Sequence, residues 1–164
     1  MLGVPALADD SGLVVEALGG QPGVYSARYA GENASDEENC RKLLRELISE
    51  KNRKAYFQCV LSLAVPSGPA LTYVGRADGV IIDEKRGTNG FGYDPIFYFQ
   101  ELGKTFAELS LEEKSRVSHR GKALAEVKNE LESIKKWIVN RLIEEQPKKP
   151  DHDQFLGKDW SDEL

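Results

Sequence analysis

Cysteine and histidine are scarce in this 164-residue chain, two of each, and methionine occurs once. Cys40 and Cys59 show no metal-ligand spacing, which speaks against a disulfide framework or a zinc site and suits two buried, reduced thiols. Basic residues are outnumbered: 22 Lys and Arg against 27 Asp and Glu give a formal net charge of -5. That balance argues against a nucleic-acid or membrane-surface binder, which would carry a basic stripe, though a local cationic pocket for a small anion stays open. No apolar run approaches a membrane span, and the first residues carry neither the basic nor the apolar region of a secretory leader. These absences point to a cytoplasmic protein without membrane contact. Its 40% hydrophobic and 30% charged residues are ordinary for one globular domain with a real core.

The chain alternates apolar and polar runs in a way that predicts both strands and helices. "VPALAD" reads as a short buried strand with Asp9 and Asp10 at its end, followed by a turn or bend, "GLVVEALGG", and a loop, "QPGVYSARYAG". Ser35 and Glu38 have the spacing of a capping box, and Leu43, Leu44, Leu47 and Ile48 form one face behind it, predicting a helix over roughly 36–50. "KAYFQCVLSLAV" and "LTYVGRADGVIID" read as an antiparallel hairpin turned by "PSGPA"; "EKRGTNGFGYDP" reads as a loop and "IFYF" as a further strand. Ser110 and Glu113 repeat the capping box before a short helix. After "SHRG", apolar residues from Leu124 to Leu142 recur every three or four positions and predict one long helix. The expected domain is 1–145, with a flexible charged tail over 146–164.

Three segments concentrate residue types that packing alone does not require. Asp9-Asp10-Ser11-Gly12 offers paired carboxylates, suited to Mg²⁺ and to taking a proton from water, or a plain turn. Gly90-Phe91-Gly92-Tyr93-Asp94-Pro95 offers an aromatic platform flanked by glycines, with Asp94 as an acceptor, or a loop that tucks its rings into the core. Lys114 with Ser118-His119-Arg120-Gly121 gathers donors at a helix junction, suited to an oxyanion or carbonyl, or else is helix capping with solvated charges. Together they supply what a base, its phosphates and a metal ion need.

"ADDSGLVVEALGGQPGVYSARYAG", "GTNGFGYDPIF" and "EEKSRVSHRGKAL" resemble, in order and spacing, the three signature blocks of the inosine triphosphate pyrophosphatase family. The resemblance implies hydrolysis of inosine, deoxyinosine and xanthosine triphosphates to the monophosphate and pyrophosphate, which cleanses the nucleotide pool. It implies an α/β fold with a mixed, elongated central sheet, helices in two lobes and a nucleotide cleft between them, usually in a homodimer. It further implies Asp10 as proton acceptor and Mg²⁺ ligand, with Asp9 in the metal site. Ser11, Phe91, Gly92, Tyr93, Asp94 and Lys114 would bind substrate, and His119 and Arg120 would read the 6-keto base.

The family pattern also has a first strand, a T/S-x-N-x-x-K phosphate loop and a helix bearing a metal-binding glutamate, and residues 1–164 contain none of these. A chain without them is expected to self-associate or to be marginally stable, and to keep at most a small fraction of the activity. The rival expectation is a nucleotide-binding or dimerising remnant that binds the base and does not turn over. An aspartyl-phosphate phosphotransferase is a weaker third reading, because it wants a D-x-D arrangement.

Overall fold

A computed structural model describes residues 4–66 and 68–144. Six strands form one sheet in the order β2-β1-β3-β4-β5-β6: β1 Ala6–Val15, β2 Pro22–Gly23, β3 Lys54–Ala64, β4 Leu71–Ile81, β5 Phe97–Phe99 and β6 Lys104–Thr105. Among the described residues four α-helices accompany them: α1 Asp36–Glu46, α2 Leu111–Val117, α3 His119–Asn129 and α4 Leu131–Glu144. The α/β architecture agrees with the reading of the sequence. The sheet itself differs from the mixed one expected, since every pairing among the described residues is antiparallel. The central β3–β4 hairpin and the β5–β6 hairpin return directly, with no parallel crossover between them.

Burial alternates along β3 and β4, and the register shows which residues share a face. Leu13, Val15, Ala55, Phe57, Cys59, Leu61, Tyr73, Ala77 and Ile81 point to one side and are buried; Thr72, Val74, Arg76 and Asp78 point to the other and are exposed. This is the pattern of an antiparallel sheet with one covered face. At one end of that face α1 contributes Leu43 and Leu47 to a core that includes Phe57, Phe97, Phe99 and Phe106. At the other end Ala123 of α3 and Ile134 of α4 close over Cys59, Leu61 and Tyr73.

Three expected boundaries shift. β1 runs through Asp9 and Asp10 instead of ending at them, and its first five residues are exposed, not buried. The turn expected over "GLVVEALGG" is confined to a 3-10 turn, Glu16–Leu18, closed by Gly19 in the left-handed region. Helix α1 ends at Glu46; Leu47 stays buried as its cap, while Ile48 is 81% exposed and adds nothing to the apolar face. The long C-terminal helix is two helices. Between them Glu130 leaves helical geometry, and its carboxylate accepts a hydrogen bond of 3.0 Å from the Tyr73 hydroxyl. A three-to-four periodicity survives such a break, so spacing alone could not reveal it. Leu124 and Leu131, read as part of one apolar stripe, are 48% and 42% exposed. Both capping boxes form, on Ser35–Glu38 and Ser110–Glu113. The tail over 146–164 lies outside the described residues.

What brings α3 onto the sheet is Gly75. A Cβ there would fall well inside contact distance of the His119 carbonyl oxygen and 2.6 Å from the Ala123 nitrogen. Backbone meets backbone at this point, and both partners are rigid. Gly75→Ala should therefore lift the first turn of α3 off β4. The expected cost is that of overpacking, ~1–3 kcal/mol, read as a lower urea midpoint with an unchanged slope.

Candidate functional site

The elbow between α2 and α3 sets the site. Ser118 caps α3 by accepting the Gly121 N–H at 3.1 Å, and its own N–H donates to the Lys114 carbonyl at 2.9 Å. A Cβ at Gly121 would collide with the Ser115 carbonyl, so the elbow closes this tightly only with glycine. His119, the first residue of α3, lands flat on Phe57 of β3, with ring centroids 4.8 Å apart and planes 13° from parallel. It is 6% exposed, and its Nδ1 has no hydrogen-bond partner among the described residues. Burial, then the charges of Arg120 and Lys114, push its pKa down to about 4, against a smaller opposing pull from Asp9. The imidazole is neutral near pH 7; its unpartnered Nδ1 is buried, which leaves Nε2 as the nitrogen that can meet a ligand in the cavity.

Arg120 reaches across β3 to β1. Its Nε and Nη2 donate to Asp9 at 2.7 and 3.1 Å, and Nη2 also lies 3.4 Å from the Ser11 hydroxyl. The Arg120 hydrogen bonds hold the Asp9 carboxyl below the usual carboxylate range. Asp10 behaves differently. It pairs across from Val60 while Asp9 pairs across from Leu61, so the two side chains leave β1 on opposite faces. The arrangement with one ion between Asp9 and Asp10 is not the one observed: alternation along a regular strand separates the two carboxylates. Among the described residues no three His, Cys, Asp or Glu side chains gather as a metal centre. Both carboxylates are exposed, and among the described residues no hydrogen bond to a neighbouring side chain engages that of Asp10.

The glycine-aromatic loop is clamped from two sides. The Gly92 N–H donates to Asp36 at 2.6 Å, and its carbonyl accepts from the Cys40 thiol at 3.4 Å, both on α1. Asp94, 3% exposed, accepts the Phe91 N–H at 2.9 Å and forms an ion pair with Lys114. Lys114 Nζ also stands 4.9 Å from the centroid of the Phe91 ring. Phe91 itself is 63% exposed, which rules out the tucked-in alternative for this ring. Tyr93 takes the other course: it is buried, and its hydroxyl donates to the Ser26 carbonyl at 2.9 Å. Burial raises the Cys40 thiol to about 11, which leaves it unreactive at neutral pH.

One cavity of about 350 Å³ joins these parts. Ser11, Phe91, Gly92, Tyr93, Asp94, Lys114, His119 and Arg120 all line it; Asp9 and Asp10 do not. Ser26, Asp36 and Phe57 also line the cavity, a place that no motif in the sequence marks for them. Asp36 looked like an ordinary acidic residue in a helix's first turn, and Phe57 like any buried strand residue. Only the fold shows that one holds Gly92 and the other carries His119.

The Ham1 family matches residues 1–130. A dITP/XTP pyrophosphatase of Desulfotalea psychrophila is 66% identical over 161 residues, covering 98% of this chain and 72% of that protein. One of Syntrophobacter fumaroxidans is 59% identical over 145 residues, covering 88% of this chain and 62% of that protein. Among solved structures, the Staphylococcus aureus Ham1 protein superposes with a TM-score of 0.78 at 51% identity, over 80% of this chain and 69% of that one. A HAM1 protein from Coxiella burnetii gives 0.76 at 46% identity, with the same coverage. The chain thus spans between 62% and 72% of the length of these two curated relatives.

His119 also sets a pH dependence. Its folded value of about 4 lies below the ordinary 6.5, so the fold favours the neutral ring. The stabilisation is complete above the unfolded value and is lost as pH falls toward the folded one. Between pH 7 and 5, above the range where Asp9 titrates, stability should drop by about 2 kcal/mol. In His119→Gln that slope should vanish, as urea midpoints at the two pH values will show.

Proposed function

The chain belongs to the Ham1 family, and on that premise we propose that it acts on nonstandard purine nucleoside triphosphates, dITP, XTP and ITP. The reaction is hydrolysis to the monophosphate and pyrophosphate. One observation carries the reading: Phe91 to Asp94, Lys114 and the His119–Arg120 pair line a single cavity together with Ser11 and Phe57 from distant parts of the chain. The cavity combines an exposed ring, a lysine and two nitrogen donors, the set that a 6-keto purine nucleotide calls for.

Each residue has a part. Phe91 stacks on the base. His119 and Arg120 serve O6 and N7, where adenine would present an amino donor to a donor and leave it unpaired. Such a mismatch costs ~1–3 kcal/mol, enough to reject the common nucleotide by one or two orders of magnitude. Lys114 takes a negative oxygen of the substrate. Over residues 6–12, β1 pairs on one side only among the described residues, so a nucleotide seated in the cavity can pass that edge toward Asp10. There Asp10 accepts the proton of the water that attacks the α-phosphorus, while the bond from that phosphorus to the bridging oxygen breaks and pyrophosphate leaves.

Asp10 would also hold Mg²⁺, one carboxylate being enough where triphosphate oxygens and water complete the shell. When bound, the ion neutralises phosphate charge. A cytoplasmic homodimer belongs to the same reading and rests on the family resemblance.

Pyrophosphate release from dITP and XTP tests the proposal; binding of inosine monophosphate without any release would leave only a nucleotide-binding domain. Asp10→Asn should lower turnover by ~10²–10⁴-fold with binding retained. A variant keeping more than about a tenth of the rate would remove Asp10 from the role of base. Phe91→Ala should raise KM for every purine substrate by roughly tenfold or more, on the scale of base–aromatic stacking, with little change in melting temperature because the ring is exposed.

A further inference from the structure

We propose that Asp9 is a positioning residue: it fixes the direction of the Arg120 guanidinium for reading the base, and it is not a metal ligand. The inference rests on the function proposed above and deepens it. Asp9 spends its carboxylate close at hand. Oδ2 accepts Arg120 Nε at 2.7 Å, and Oδ1 accepts Nη2 at 3.1 Å, the Ser11 hydroxyl at 3.3 Å and the Cys59 thiol at 3.6 Å. Oδ1 is crowded by three donors and Oδ2 takes a fourth, and a cation placed there would face a guanidinium. Alternation along β1 sends Asp9 and Asp10 to opposite faces, so an ion on one is out of reach of the other.

The pair is also poorly built for stability. The two side chains are 36% and 40% exposed, and a solvent-screened ion pair contributes little. What it does supply is direction. A two-point contact locks the plane of the guanidinium, and because it uses Nε and Nη2, Nη1 is left out of it. Ser11, bonded to both partners, ties the contact to the cavity wall. Without Asp9 the arginine would keep its charge and lose its aim.

A double-mutant cycle on Asp9→Asn and Arg120→Ala tests this, with calorimetric binding of inosine and adenosine monophosphates to the full chain as readout. Asp9→Asn should weaken inosine monophosphate about tenfold, leave adenosine monophosphate within about twofold, and cost less than about twofold once Arg120 is gone. The Mg²⁺ concentration for half-maximal pyrophosphate release should stay the same in Asp9→Asn. Equal losses with and without Arg120, or a shifted Mg²⁺ requirement, would overturn the assignment. So would a lower melting temperature with the preference for inosine intact, which would make the pair a strut between β1 and α3. A wild-type chain that binds both monophosphates alike would instead overturn the base-reading function, and this inference with it.

Discussion

The site depends on one steric fact, the approach of the α3 backbone to β4 at Gly75. No side chain separates the His119 carbonyl from the strand there, so the first turn of the helix sits low over the sheet. That depth is what lets His119 lie on Phe57 and lets Arg120 span β3 to reach Asp9 on β1. Gly121 serves the same end from within the elbow, bringing α2 and its Lys114 against the start of α3. A helix riding a methyl group higher would carry the same residues and aim none of them.

Charge is arranged in opposed pairs around the cavity. Lys114 is matched by Asp94 and Arg120 by Asp9, so two cations face the cavity in a chain whose net charge is -5. The pairs differ in kind. Asp94 is 3% exposed and braces the loop through the Phe91 N–H, so removal of its lysine would strand a buried carboxylate. Asp9 and Arg120 stand partly in water, where geometry matters more than energy. One pair shapes the platform, and the other aims a donor.

Much of this was legible in the sequence, for physical reasons that differ from place to place. Capping boxes are local chemistry, and both appeared where Ser and Glu stood three residues apart. The hairpin of β3 and β4 announced itself by branched and aromatic runs on either side of a Pro-Gly turn. The cavity residues were found because three blocks in order are far more specific than any one of them. The rest was tertiary. Whether Phe91 or Tyr93 turned inward depended on what lay behind the loop, and α1 decides it by holding Gly92. The break at Glu130 depended on Tyr73, 57 residues away. The meaning of Asp9 beside Asp10 depended on whether the backbone there turned or ran straight, and a run of Asp, Ser and Gly is ambiguous on that point.

The straight course of β1 has a consequence for how this stretch tolerates genetic change. Odd-numbered positions from Asp9 to Val15 face the helices and even-numbered ones face away, so one parity carries core packing and the Arg120 contact while the other carries Asp10. Deleting Ser11 or Gly12 with Leu13 held in register would shift Asp9 into the place of Asp10 and Asp10 into that of Ser11, moving one carboxylate off Arg120 and the other off the open face in the same step. Substitutions along this strand can be sampled one at a time, but its length cannot. Insertions and deletions should therefore accumulate in the turn between β3 and β4 and be purged from the ten residues of β1.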